Sequence, residues 1–322
     1  MRVFVAGATG AIGRYLIPRL VAGGHDVIAT TRRPDKMAAL RALGATPVVV
    51  DGLDAHAVGE AVARAEADAI VHQMTALSGK ADLRHFDRWF SVTNALRTKG
   101  TENLVSAAQA ADVPRFVGQS YTGWTNDRTG EWIKTENDPL DPNPLREQRE
   151  SLAAIRSLER MVTEAPLEGI ALRYGNFYGP GGSEELVALV RKRKFPIIGD
   201  GQGVWSWIHL DDAAAATVAA LERGRRGIYN IADDEPARVA EWLPYLAEVV
   251  GAKHPLRVPK WVARVVAGRV PVRWMTEGRG VSNEKATRQL GWEPAWRSWR
   301  DGFRFALTGK SGAERRASSP RG

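Results

Sequence analysis

The stretch Val3-Phe4-Val5-Ala6-Gly7-Ala8-Thr9-Gly10-Ala11-Ile12-Gly13 constrains this chain more than any other. It opens as an apolar run, turns through three glycines and continues with helical spacing at Ile12, Leu16 and Leu20. A strand that turns through glycines into a helix makes a phosphate cradle, because the unpaired N–H groups of the first helical turn face the turn. Gly7 permits the tight turn, Gly10 lets the backbone approach a diphosphate, and Gly13 lets helix and strand pack closely. The spacing is G-x-x-G-x-x-G rather than G-x-G-x-x-G, so the strand-turn-helix context carries much of the argument. The candidate cradle is Gly7, Thr9, Gly10, Ala11, Ile12 and Gly13.

The chain then alternates. Strands are predicted at 26–30, 46–50, 69–73, 115–120 and 169–174, and helical patterns at 36–43, 55–66, 89–111 and 150–164. Alternation of this kind implies an α/β protein with a doubly wound parallel sheet and helices on both faces. After the second strand, such a sheet presents residues to an adenosine ribose, where Asp or Glu selects NAD. Here Thr31 is followed by Arg32 and Arg33, cations that favour a 2′-phosphate and hence NADP over NAD. Asp51 and Gly52 close the third strand beside the expected adenine, and Asp54 reads as a helix cap.

Composition excludes several functions. With no cysteine there is no disulfide, thiolate metal site or Cys nucleophile, and the histidines form no H-x-x-x-H pair. No apolar run approaches the length of a membrane span and no secretory pattern precedes the first strand, so the expectation is a cytoplasmic protein without a membrane partner. The net charge of +8 is concentrated after residue 252, among Trp261, Trp274, Trp292, Trp296 and Trp299. Without a nucleic-acid motif, these tryptophans read as a small core or lid rather than a nucleic-acid surface. An anionic substrate or a partner subunit would use the same charge.

Residues 121–149 are rich in Gly, Asn, Asp and Pro, as expected of a loop that covers an active site. Beyond it lie Phe177-Tyr178-Gly179-Pro180-Gly181, Trp207-Ile208-His209-Leu210-Asp211-Asp212-Ala213, Gly227-Ile228-Tyr229-Asn230-Ile231 and Leu290-Gly291-Trp292-Glu293-Pro294. With these motifs in order, the chain resembles the extended short-chain dehydrogenase/reductases, in their NAD-dependent epimerase/dehydratase group. The resemblance implies a Rossmann-type dinucleotide-binding domain from 1–172 and about 205–232. It also implies a smaller C-terminal substrate-binding domain from 173–204 with 233–308, and a homodimer. Residues 309–322 read as a disordered tail.

The resemblance also implies a Tyr-x-x-x-Lys pair on the helix after the long loop, where a phenol moves the proton and an ammonium lowers its pKa. This sequence departs from that pattern. Ser151 and Ile155 stand at those positions, and Tyr-x-x-x-Lys occurs nowhere else. The likeness is therefore to an atypical branch. Ser120, at the end of the fifth strand, and the adjacent Tyr121 are the candidate replacements: Ser120 to polarise the substrate oxygen, and Tyr121 or a water to give the proton. Tyr174 and Asn176 are candidate nicotinamide or substrate contacts by the same resemblance. The expected function is an NADP-dependent oxidoreductase acting on a small carbonyl, alcohol or sugar-like metabolite with a non-standard proton donor. The rivals are an NAD(P)-binding regulator or scaffold that has lost catalysis, and a sugar-nucleotide epimerase or dehydratase.

Overall fold

The structure is a computed structural model that describes residues 1–77 and 81–307. The expected tail at 309–322 lies outside the described residues. Seven parallel strands form the central sheet: β1 (Arg2–Ala6), β2 (Asp26–Thr31), β3 (Thr46–Val49), β4 (Ala69–His72), β5 (Arg115–Tyr121), β6 (Glu168–Tyr174) and β7 (Gly227–Ile231). Their order is β7-β6-β5-β4-β1-β2-β3, with Val3 opposite both Val27 and Ala69. The order reverses beside β1, so the strand ends diverge there and leave a crevice at their carboxyl edge.

Alternation along each strand divides the core in two. Val3, Val5, Val71 and Val117 face helices α1 (Gly13–Ala22) and α6 (Leu210–Arg223) through Leu16, Leu20, Ala213 and Ala220. Phe4, Ile70 and Phe116 face α3 (Ala55–Ala65), α4 (Thr101–Ala110) and α5 (Arg149–Glu164) through Val62, Ala108, Leu158 and Val162. Helix α2 (Met37–Ala42) follows β2, and the Asp54 carboxylate caps α3 by accepting from Ala57 N. The fold is thus an α/β, Rossmann-type doubly wound sheet with a smaller C-terminal region.

That region has its own apolar centre, in which Tyr178, Trp207, Trp242, Trp299 and Phe303 pack together. Of the tryptophans in the basic segment, Trp292 and Trp299 are buried, Trp274 and Trp296 are half-buried, and Trp261 is exposed. Short ladders tie the long loop to this region: Ile133–Lys134 pairs with Gly280–Val281, and Arg128 bridges Asp141 and Glu277.

Most bounds agree within a residue or two, and two differences bear on the site. The helix predicted over 89–111 begins earlier and is interrupted: turns at Phe86–Trp89 and Ser91–Ala95 lead into a π-helical turn at Leu96–Gly100 before α4. Within it Thr98 Oγ1 donates to the carbonyl of Asn94, and Thr101 Oγ1 to that of Leu96. Strand β5 runs one residue further than predicted, because Tyr121 pairs with Tyr174 of β6.

Candidate active site

The glycine turn opens the crevice. Gly7 has φ +84°, and a Cβ there would lie 2.7 Å from the backbone of Gln73 and Met74. At Gly13 a Cβ would sit 1.8 Å from the carbonyl oxygen of Ala8, so only glycine lets α1 start this close to the turn. No side chain caps the start of α1. Thr30 Oγ1 accepts from Gly7 N and Thr31 Oγ1 accepts from Arg33 N, which fixes the end of β2 against the turn.

A groove of about 590 Å³ follows from this geometry. Gly7, Thr9, Gly10, Ala11, Ile12, Gly13, Arg32, Arg33 and Gly52 all line it. Sequence reasoning missed Lys36 at the cationic end, the backbone after β4 from Gln73 to Leu77, and Gln119 and Phe177 at the far end. The cations are not equivalent. Arg33 donates to both carboxylate oxygens of Asp35 at 3.0 and 2.7 Å, which holds Asp35 below the usual carboxylate range. Arg32 and Lys36 form no ion pair among the described residues, and both line the groove. A glycine cradle at one end and cations beyond β2 fit a nicotinamide dinucleotide.

Three proposed cofactor contacts do not line the groove. Asp51 is exposed and its carboxylate accepts from Leu53 N, closing a local turn. Tyr174 is fully buried; its hydroxyl pairs with Thr217 Oγ1 at 2.7 Å, and burial pushes the phenol up to about 12. It touches the groove's wall from behind, through Gln73, whose Nε2 donates to its oxygen, and through the ring of Phe177. Asn176 lies in the neighbouring cleft.

Ser120 is also placed differently from the expectation. Successive side chains of β5 face opposite ways. Gln119 and Tyr121 share the face that lines the groove and the cleft, whereas Ser120 points to α5. Its hydroxyl is buried and donates to Glu159 Oε1 at 2.7 Å, and both Glu159 oxygens are taken by Arg173 at 2.7 Å. Ser120 therefore belongs to a closed buried network and lines neither the groove nor the cleft.

The cleft beside the groove is walled by Tyr121, Trp124, Asn176, Trp205 and Trp274. Tyr121 Oη donates to Asn176 Oδ1 at 2.9 Å, and Asn176 Nδ2 donates to the carbonyl of Ser206. Burial raises the Tyr121 phenol well above its ordinary value, so it is protonated at neutral pH. On α5, Ser151 donates to Asp87 at 2.6 Å and accepts from Asn94, and Ile155 is fully buried. His72 is neutral: burial lowers it to about 4, its Nδ1 accepts from Met74 N, and its Nε2 faces Thr101 Oγ1. It is buried, does not line the groove and offers no exposed base. Lys134 is held inside the long loop by Thr129 and Asp138. Among the described residues no cluster of His, Asp and Glu has metal-binding geometry.

The profile of the NAD dependent epimerase/dehydratase family matches residues 3–232. The chain belongs to that family. As a member of the epimerase/dehydratase family with a reductase among its relatives, it is an NAD(P)-dependent oxidoreductase. That relative, the 3-diazoavenalumate denitrifying reductase of a Streptomyces species, is 41% identical over 313 residues, covering 94% of this chain and 99% of the relative. Among solved structures, a UDP-glucose 4-epimerase of Thermotoga maritima superposes with a TM-score of 0.75 at 20% identity, covering 99% of this chain and 100% of that one. A human epimerase family protein solved with NADPH superposes with a TM-score of 0.73 at 22% identity, covering 96% and 99%. No helix among the described residues is long and apolar enough to cross a membrane.

Proposed function

We propose that this protein is an NADPH-dependent reductase of a small electrophilic metabolite, with Tyr121 as the proton source where the reaction needs one. The observation that carries the reading is the groove's cationic end. Arg32 and Lys36 line it and form no ion pair among the described residues, while the nearby carboxylate of Asp35, which does not line the groove, is engaged by Arg33. A 2′-phosphate meets two cations in that place, and an unphosphorylated ribose finds no carboxylate among the groove's lining residues. When bound, the reduced nicotinamide supplies hydride to an electrophilic atom of the substrate.

The chain's own residues then decide which electrophile is served. Reduction of a carbonyl leaves an oxygen that must take a proton, and the protonated Tyr121 hydroxyl is the acid in the cleft. Reduction of an arenediazonium by hydride releases dinitrogen and consumes no proton. A chain with Ser151 and Ile155 in place of Tyr-x-x-x-Lys suits that second kind of reduction, and the Streptomyces relative's name describes a denitrifying reductase of a diazo compound. The same two residues weigh against a sugar-nucleotide epimerase or dehydratase, since Ser151 is bound to Asp87 and Ile155 carries no polar group.

The cleft encloses only about 20 Å³, room for one water, so a ring-sized substrate enters only if the wall carrying Trp124 moves outward. The test is nicotinamide absorbance in the purified protein, with benzoquinone diazides and a panel of aldehydes and ketones. The expected result is oxidation of NADPH by members of one class, at least about tenfold faster than of NADH at equal low concentration. Tight NADPH binding without oxidation by either class turns the reading to a regulator, and no dinucleotide binding removes it.

A further inference from the structure

Between Glu248 and Glu277 the chain carries no acidic residue and six cations: Lys253, Arg257, Lys260, Arg264, Arg269 and Arg273. Of these, Arg273 alone is in an ion pair among the described residues, with Asp141 and Glu277. The other five are exposed. The fold brings a second basic run, Arg191-Lys192-Arg193-Lys194, alongside this segment, and all four of its side chains are exposed. Arg191 Nε donates to the carbonyl of Val250, Arg193 Nη2 donates to that of His254 at 3.0 Å, and Ile197–Ile198 pairs in parallel with Arg257–Val258.

Within this basic face the helix Lys260–Ala267 packs inward through the buried Ala263 and is apolar on its outer side. Trp261 and Val265 are each 71% exposed, with Val266 and Leu256 exposed near them. Trp261 and Val265 lie one turn apart and share a face, and Lys260 and Arg264 repeat at the same interval along its flank. Arg84 donates to the carbonyls of Val265 and Val266 and so closes the end of the helix. Of the five tryptophans in the basic segment, Trp261 alone belongs to neither a core nor the cleft.

Charge decides what covers such a face. A second copy set on it about a two-fold axis would oppose cation to cation. The chain's own residues outside the described ones, 78–80 and 308–322, are basic too, with Lys80, Lys310, Arg315, Arg316 and Arg321 against Glu314. The occupant is therefore anionic. The exposed apolar residues protrude from a helix and line none of the cavities described here. A lipid headgroup layer suits that shape, because it yields around an indole while Lys and Arg meet its phosphates. A helix of this kind lies on a bilayer and does not cross it, so it needs no spanning segment.

We propose that this face docks the protein on an anionic lipid surface, with Trp261 and Val265 entering the headgroup layer and the flanking Lys and Arg side chains meeting lipid phosphates. The inference stands apart from the reductase reading, since none of these residues lines the groove or the cleft.

The test is sedimentation of the full-length protein with vesicles of phosphatidylcholine alone and of phosphatidylcholine mixed with phosphatidylglycerol. The wild type binds the anionic vesicles at least about tenfold more strongly than the neutral ones, and the preference shrinks as salt rises. Trp261→Ser/Val265→Ser keeps the charge and lowers binding to anionic vesicles at least about fivefold. Lys260→Glu/Arg264→Glu lowers it as much or more, whereas Arg41→Glu/Arg160→Glu, the same change of net charge at exposed sites elsewhere, keeps most of it. An unchanged urea midpoint shows that each variant is folded; if one is not, the wild-type comparison and the remaining variants decide. Three outcomes overturn the proposal: no binding of the wild type to anionic vesicles, which leaves the face to an acidic protein; equal binding to both vesicles; or equal loss in the two charge-reversed variants, which assigns the binding to overall charge.

Discussion

Tyr121 Oη donates to Asn176 Oδ1 at 2.9 Å, and Asn176 is itself held by the carbonyl of Ser206. The amide orientation is therefore set from behind: Nδ2 must face Ser206, so Oδ1 must face the phenol. This keeps the Tyr121 hydroxyl at a defined place in the cleft, protonated and two residues along β5 from Gln119 in the groove.

If Tyr121 is the acid for carbonyl reduction, Tyr121→Phe lowers kcat for a carbonyl substrate by about 10²–10⁴-fold. NADPH affinity stays within about twofold, because the phenol does not line the groove. For an arenediazonium the same variant keeps most of its kcat. Steady-state kinetics of one variant with both substrate classes separates the two chemistries.

Arg32 and Arg33 are neighbours with different tasks. Arg32→Ala weakens NADPH by about tenfold or more and leaves NADH unchanged, since it removes a charge-assisted contact to phosphate. Arg33 is spent on Asp35, so the double variant Arg33→Ala/Asp35→Ala, which preserves net charge, binds NADPH nearly as the wild type does. Fluorescence titrations of both dinucleotides at two salt concentrations check this, and the loss in Arg32→Ala shrinks as salt rises.

The parts legible from sequence were those specified by neighbours along the chain. The glycine turn, its strand and its helix lie within Val3 to Leu20, and the alternation of strands and helices reads directly as a parallel sheet. Ser120 faces α5 because successive side chains of β5 alternate, and Gln119 and Tyr121 share the opposite face. Gln119 was discoverable, since period-two alternation puts it on the Tyr121 face. The π-helical turn was not, because the pattern over 89–111 reads as one helix and the interruption depends on packing against α5 and the end of β4. Asp51 and Tyr174 followed from position alone, and the hydrogen bonds each makes within the fold turn them away from the groove.

The Glu159–Arg173 pair is buried on both sides, at 6% side-chain exposure each. Removing one partner of such a pair leaves the other charge uncompensated, typically at about 3–5 kcal/mol. Glu159→Gln therefore destabilises the protein by about that amount in urea unfolding. Ser120→Ala, which removes one donor from an otherwise satisfied carboxylate, costs only about 1–2 kcal/mol and leaves kcat unchanged.

His72 gives the fold a pH dependence with a definite sign. Burial lowers its pKa from an ordinary 6.5 to about 4 in the folded protein. Between those values the unfolded chain binds the proton and the folded chain does not, so stability rises with pH across the window. The stability linked to His72 is complete above pH 6.5 and is lost as pH falls towards 4. A shift of this size corresponds to roughly 3 kcal/mol. His72→Gln cannot titrate and keeps a donor for Thr101 and an acceptor for Met74 N, so it tests the charge rather than the hydrogen bonds. Urea unfolding from pH 7.5 to 5 should show the wild type losing stability relative to His72→Gln as the pH drops, whereas parallel curves would mean that the imidazole charges in the folded state and that its site is wetter than the structure describes.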